Sequence, residues 1–262
     1  MRTIIIAFYI VLFLSNFTYA AHILEPLGTE SASTPQRGRM FGEIVYQYEK
    51  SGGKTHFLPL AFEIGLGERT QLNLEGEILL RAEKADGQHG QHEKGIEEMS
   101  LGVKHRFLDE TARRPDAAFE VEFSPAIGLK GNGQGVKGIL ILSKNLNPRF
   151  VLHINGAYEL ETEREIELHD GTDEVVNQET WFYNVAPMFK IIPDRLMFVV
   201  EFNSQKQSSG NTEMRIAPEI IGVFQTETFF ALQNFAVKLA FPIGLNDHSP
   251  DKGVILGFSK LF

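Results

Sequence analysis

The sequence predicts an all-β fold, a transmembrane antiparallel β-barrel of about twelve up-and-down strands. Three observations carry this. From Arg39 onward the chain breaks into runs of about 10 to 15 residues in which apolar and polar residues alternate, with turn chemistry between them. The connections alternate between tight and long, as they do where short turns close one rim of a barrel and loops close the other. The last run, Gly253 to Phe262, stops on an aromatic residue, which lipid covers more readily than water. A soluble sandwich gives the same alternation with its apolar face as core. An N-terminal export signal, and strands long enough to cross a bilayer at a tilt, favour the membrane.

The chain begins with Met1 and Arg2, then the apolar run Ile4 to Leu14, then Thr18-Tyr19-Ala20 with small residues at the cleavage positions. Residues 1–20 therefore read as a secretory signal peptide, the apolar run being too short for an anchor. Residues 21–38 mix Ser, Thr, Pro and Gly without a period and read as a flexible periplasmic segment; residues 39–262 form the barrel. The predicted strands are 39–50, 55–67, 70–83, 95–107, 116–130, 136–146, 149–163, 179–192, 195–206, 212–225, 228–241 and 253–262. The third is the clearest: Leu72, Leu74, Gly76, Ile78 and Leu80 oppose Gln71, Asn73, Glu75, Glu77 and Arg81. An even count places both chain ends at the periplasmic rim. Residues 164–178, rich in Glu and Asp, are then the largest outer loop. Pro59, Pro125, Pro187 and Pro218 fall inside predicted strands; since a closed barrel has no edge strand to receive them, they mark either bulges or strand bounds displaced by a few residues.

Composition excludes several classes. The full chain carries 25 Lys+Arg against 34 Asp+Glu, a net charge of −9, and losing Arg2 with the signal makes the exported chain more acidic still. This argues against a nucleic-acid partner. With no cysteine there is neither a disulfide framework nor thiol chemistry. Mean hydropathy is −0.12, low for a helical membrane protein and ordinary for strands apolar on one face. The 21 Phe suit an outward face and interfacial girdles.

The terminal strand, with Val254, Leu256, Phe258 and Phe262 on one face, resembles the C-terminal strand of bacterial outer-membrane proteins. That resemblance implies an outer-membrane address and recognition of Phe262 by the barrel-insertion machinery. Lys260 departs from the pattern by falling on the apolar face, where it can snorkel to the interface. The stretch Phe62-Glu-Ile-Gly-Leu-Gly-Glu-Arg-Thr-Gln-Leu-Asn-Leu-Glu75, echoed by Pro193-Asp-Arg-Leu196, resembles the strand–turn–strand element GLTDRLEL of the outer-membrane proteins of the phenol-degradation meta-pathway. The resemblance implies a transporter-like channel for small solutes, hydrophobic or aromatic compounds among them. It carries over turns and no binding residue.

Function should be written on the inward face. Acids predicted there are Glu43, Glu63, Glu75, Glu77, Glu98, Glu120, Glu122, Glu159, Glu161, Glu201 and Glu219; bases are Arg81, Lys104, Arg106, Lys190, Arg215 and Lys238. So many charges must be paired or wet. A water-filled lumen lined by Glu75, Glu77, Lys104, Arg106, Glu120, Glu122, His153, Glu159, Glu161 and Glu201 satisfies this, with an acidic excess favouring cations. Lys104 and Arg106 are expected to pair with Glu75, Glu77, Glu120 and Glu122, leaving Glu159 and Glu161 as the uncompensated wall. The alternative is a lumen closed by salt bridges, in a structural or adhesive barrel. His89 and His92 with Glu93 match no structured metal motif and read as solvated loop residues. A barrel phospholipase places its serine two residues after its histidine; here Asn155 follows His153, Leu58 follows His56 and Phe107 follows His105. No catalytic or cofactor motif is present, and the expected partners are outer-membrane lipid, the insertion machinery and a small solute.

Overall fold

A computed structural model describes residues 25–83, 94–127, 133–167, 173–224 and 235–262, with backbone alone over 163–167 and 173–176. Residues 1–20, predicted as a signal peptide, with His89, His92, Glu93, the predicted turn at 225–227 and residues 228–234, lie outside the described residues. Thirteen strands follow in order: β1 (Met40–Ser51), β2 (Gly53–Gly65), β3 (Thr70–Glu83), β4 (Gly95–Leu108), β5 (Asp116–Ser124), β6 (Gln134–Asn147), β7 (Phe150–Glu167), β8 (Asp173–Ile192), β9 (Leu196–Gln207), β10 (Thr212–Phe224), β11 (Phe235–Ala240), β12 (Ile243–Gly244) and β13 (Lys252–Leu261). Each pairs antiparallel with its neighbour, and β1 closes on β13 with Phe41 opposite Leu261. β12 continues β11 in the same register against β10 and β13, the two being separated at Phe241-Pro242, where the ring removes a ladder donor. The wall is thus a closed barrel of twelve antiparallel staves. No helix among the described residues is long and apolar enough to cross a membrane.

Alternation sets the two faces. In β5, Phe119, Val121 and Phe123 are exposed outward, while Ala118, Glu120 and Glu122 are buried. Phe258 and Phe262 are likewise outward, and the Lys260 ammonium lies 4.8 Å from the Phe262 ring centre, a cation–π contact that accommodates the odd charge. β1 begins and β13 ends at one rim, here the lower rim, where Phe262 N–H donates to Met40 O. Tight turns gather there, including Pro193-Asp194-Arg195, whose Asp194 is left-handed (φ 57°).

Three expectations are corrected. The loop predicted over 164–178 is mostly strand: β7 and β8 run to Glu167 and from Asp173, paired from Arg164–Val176 to Glu167–Asp173. The backbone ladder simply continues past the barrel as a two-stranded ribbon. Pro125 follows β5 rather than lying in it, and Pro59, Pro187 and Pro218 sit in strands whose register does not shift at them. The shifts fall elsewhere, as between His56 and Phe57. Finally, residues 25–36 do not trail outside. They run within the barrel, with Glu25, Thr29, Ser31 and Ala32 buried, and leave at the lower rim through a turn at Gln36–Arg39 in which Gly38 takes φ 76°.

Candidate functional site in the barrel lumen

All ten residues singled out for the lumen lie inward by their place in the alternation. Lys104, Glu120, Glu122, His153 and Glu201 are buried; Glu75, Glu77, Arg106, Glu159 and Glu161 are partly so. Their pairing differs from expectation. Lys104 stands opposite Glu120 in register, yet its ammonium pairs with Glu30 at 2.7 Å and reaches Glu25 at 3.9 Å, both on the N-terminal segment. Arg106 turns to the lower rim, donating to Glu68 O at 3.2 Å and lying 3.6 Å from Asp109. The base among the acids is Lys137, which the sequence reading left out: it pairs with Glu122 at 2.9 Å and stands opposite Glu159. Glu122 and Glu159 therefore share one base, and the wall at Glu159 and Glu161 is compensated only in part. Lys137 falls inside the predicted strand 136–146, so it was legible in the sequence although it was not among the bases placed inward.

Amides complete the acidic wall. Gln71 donates to Glu63 and, at 2.8 Å, to Asn73, and Asn73 donates to Glu120. Among the described residues Glu75, Glu120 and Glu122 are the group whose carboxylates could share a metal ion, each offering an oxygen within 4.8 Å of the others. Gly102 makes room for them, since a Cβ there would meet Glu120 Oε1 at 2.9 Å. On the opposite side Lys238 pairs with Glu43 at 2.6 Å, and Arg215 with Glu49 at 2.6 Å and Glu213 at 2.9 Å.

The segment crosses this space on side-chain bonds from the wall. Glu219 accepts from Leu27 N–H at 3.3 Å, Glu201 from Gly28 N–H at 3.0 Å, and Ser143 Oγ from Ala32 N–H at 2.9 Å. Asn184 donates to Gly28 O at 3.0 Å; Asn155 accepts from Glu30 N–H at 2.7 Å and donates to Glu30 O at 3.0 Å. Ala32 packs with Ala118, Ile139, Ile141 and Ala157. A second buried apolar cluster, including Phe41, Met188, Met197, Val199, Ile221 and Leu261, faces inward near the lower rim. Runs such as Met197-Phe198-Val199-Val200 are apolar on both faces, which is why alternation alone missed it. Between segment and wall remains a cavity of about 180 Å³, touched by Glu25, Glu30, Glu43, Glu63, Glu75 and Lys137.

Register also brings Ser143 Oγ and His153 Nδ1 to 2.9 Å, a pairing that spacing within one strand could not reveal. A nucleophile needs a free path to its substrate. Here the pair is buried and Ser143 Oγ is engaged by Ala32 N–H, so the pair holds the segment.

No protein-family model matches the chain, and no curated protein does. Solved structures do. The COG4313 outer membrane channel from Pseudomonas putida F1 superposes with a TM-score of 0.69 at 9% identity, over 91% of this chain and 100% of that one. The NanC porin gives 0.54 at 9% identity, over 85% and 98%. The KdgM porin, solved in complex with disordered oligogalacturonate, gives 0.53 at 9%, over 84% and 99%. The chain has the fold of outer-membrane channels and porins.

Proposed function

We propose that this protein is a bacterial outer-membrane channel for small solutes, exported by the signal at residues 1–20 and handed to the barrel-insertion machinery through Phe262. The observation that carries the reading is a closed barrel with an apolar exterior and a charged interior, in which Glu75, Glu122, Lys137, Glu159 and Glu161 are only partly compensated by one another. Charges of this density are stable in contact with water. They line the path in this reading, together with Glu77, Arg106 and Glu201. The resemblance of Phe62–Glu75 to the phenol meta-pathway element points to hydrophobic or aromatic solutes; the porin likeness supports passage without naming one. No catalytic group is required.

Single-channel recording on the refolded protein in planar bilayers tests this. Discrete current steps are expected. A second reading, a structural barrel that conducts nothing, is favoured by the segment across the lumen. Silence from folded protein, with the segment in place and with it displaced, would establish that second reading.

A further inference from the structure

Five wall side chains hold the N-terminal segment by its main chain. Asn155 takes the N–H and fills the C=O of Glu30, the paired bonds a neighbouring strand would supply. Gly28 is gripped the same way from two staves: its N–H forks onto the Glu201 carboxylate at 3.0 and 3.2 Å and its O accepts from Asn184. Those wall groups are far from the segment in sequence and come from β6 through β10. Glu201 and Asn155 are nearly sunk, at 2% and 4% exposure, so they need a partner of this shape or water in its place. Selectivity enters at two points. A Cβ on Gly28 would lie 3.2 Å from Glu201 Oε2 and 3.3 Å from Asn203 Nδ2, so a larger residue there has to push these two side chains aside. Lys104 requires an acid where Glu30 stands.

We propose that the inner wall is a binding track for an extended polypeptide and that residues 25–32 are its resident ligand, exchangeable with the same sequence supplied in trans. Recognition is by peptide amides, with a glycine and an acid two residues apart setting the register. Occupancy narrows the lumen and vacancy opens it. This last step rests on the channel reading; the binding step does not.

The test uses the full chain carrying Gly28→Phe, which leaves every wall residue intact and is expected to unseat its own segment by crowding Glu201 and Asn203. A fluorescently labelled peptide of residues 25–36 is titrated onto the folded variant in detergent and followed by anisotropy. Saturable binding is expected, at least tenfold weaker for the same peptide with phenylalanine at position 28, and weaker again when Asn155→Ala is added to the barrel. In bilayers, Gly28→Phe should conduct several-fold more than the parent, and the native peptide should return it towards the parental level. Absence of saturable binding overturns the track, because a barrel that still seats a segment with phenylalanine at 28 does not hold it by these contacts. Binding with no current from any variant upholds the track and removes the channel reading.

Discussion

Lys104 is fully buried, and its charge is met by an acid that no alternation rule would place there. Glu30 lies 74 positions earlier and reaches it from the segment at 2.7 Å. Removing one member of a buried pair leaves the other charge uncompensated, at a cost of about 3–5 kcal/mol. Lys104→Met should therefore lower the urea midpoint of the heat-modifiable barrel on gels, and adding Glu30→Gln should recover much of the loss. Strictly additive effects in this double-mutant cycle would show that the two side chains do not act as a pair. A second residue outside the wall responds to acid. In the β4–β5 turn, burial pushes the Glu110 carboxyl up, but hydrogen bonds from Lys144 (2.8 Å) and Asn145, with the Lys144 charge, outweigh it and hold the carboxyl below its ordinary 4.5. Its folded value is depressed, so its contribution is complete above the unfolded value and is lost as pH falls below about 4.5. Parent and Glu110→Gln should differ in thermal midpoint at pH 7 and draw together as pH falls below about 4.5; a gap independent of pH would show that the ion pair is not its source.

The β7–β8 hairpin is the longest element pair, 18 and 20 residues, and its paired ends extend past the point where the sequence suggested a loop. Its far end sits at the rim opposite the start of β1 and the end of β13. The native chain has no cysteine, so a single introduced thiol reports position without background. Asp173→Cys should react with a membrane-impermeant maleimide on intact cells, and Arg113→Cys, in the opposite rim's β4–β5 turn, only after permeabilisation. The reverse pattern would invert the barrel. The strands were legible because period two survives wherever one face meets an apolar surroundings: predicted and observed bounds for β3 coincide, and those for β1 and β9 differ by one residue at each end. The segment at 25–36 was not legible. Its stability comes from Glu219, Glu201, Asn155 and Ser143, 111 to 192 positions away, and a stretch without periodicity gives no sign of side chains that distant. The inward apolar cluster escaped for the complementary reason, since a strand apolar on both faces loses the contrast that alternation needs.

At the scale of the whole barrel, charge and occupancy meet in one space. Acids dominate the inward wall, but Lys137 stands among them, bonded to Glu122 and opposite Glu159, so the two carboxylates at 159 and 161 do not act alone. Selectivity should then depend on the balance between that lysine and its neighbours. In a background carrying Gly28→Phe, so that current is carried past the segment, reversal potentials across a KCl gradient should show cation preference. Lys137→Gln should increase it, and Glu159→Gln with Glu161→Gln should decrease it, while both folded barrels remain heat-modifiable. Screening sets the salt dependence: with a Debye length of roughly 10 Å at 0.1 M and 3 Å at 1 M, the preference should shrink as salt rises. A lumen wall whose charges face the conducting path must move the reversal potential in opposite directions for the two changes. If neither moves it, ions pass where these side chains do not reach, and the acidic wall around Lys137 serves to seat the segment rather than to select what flows beside it.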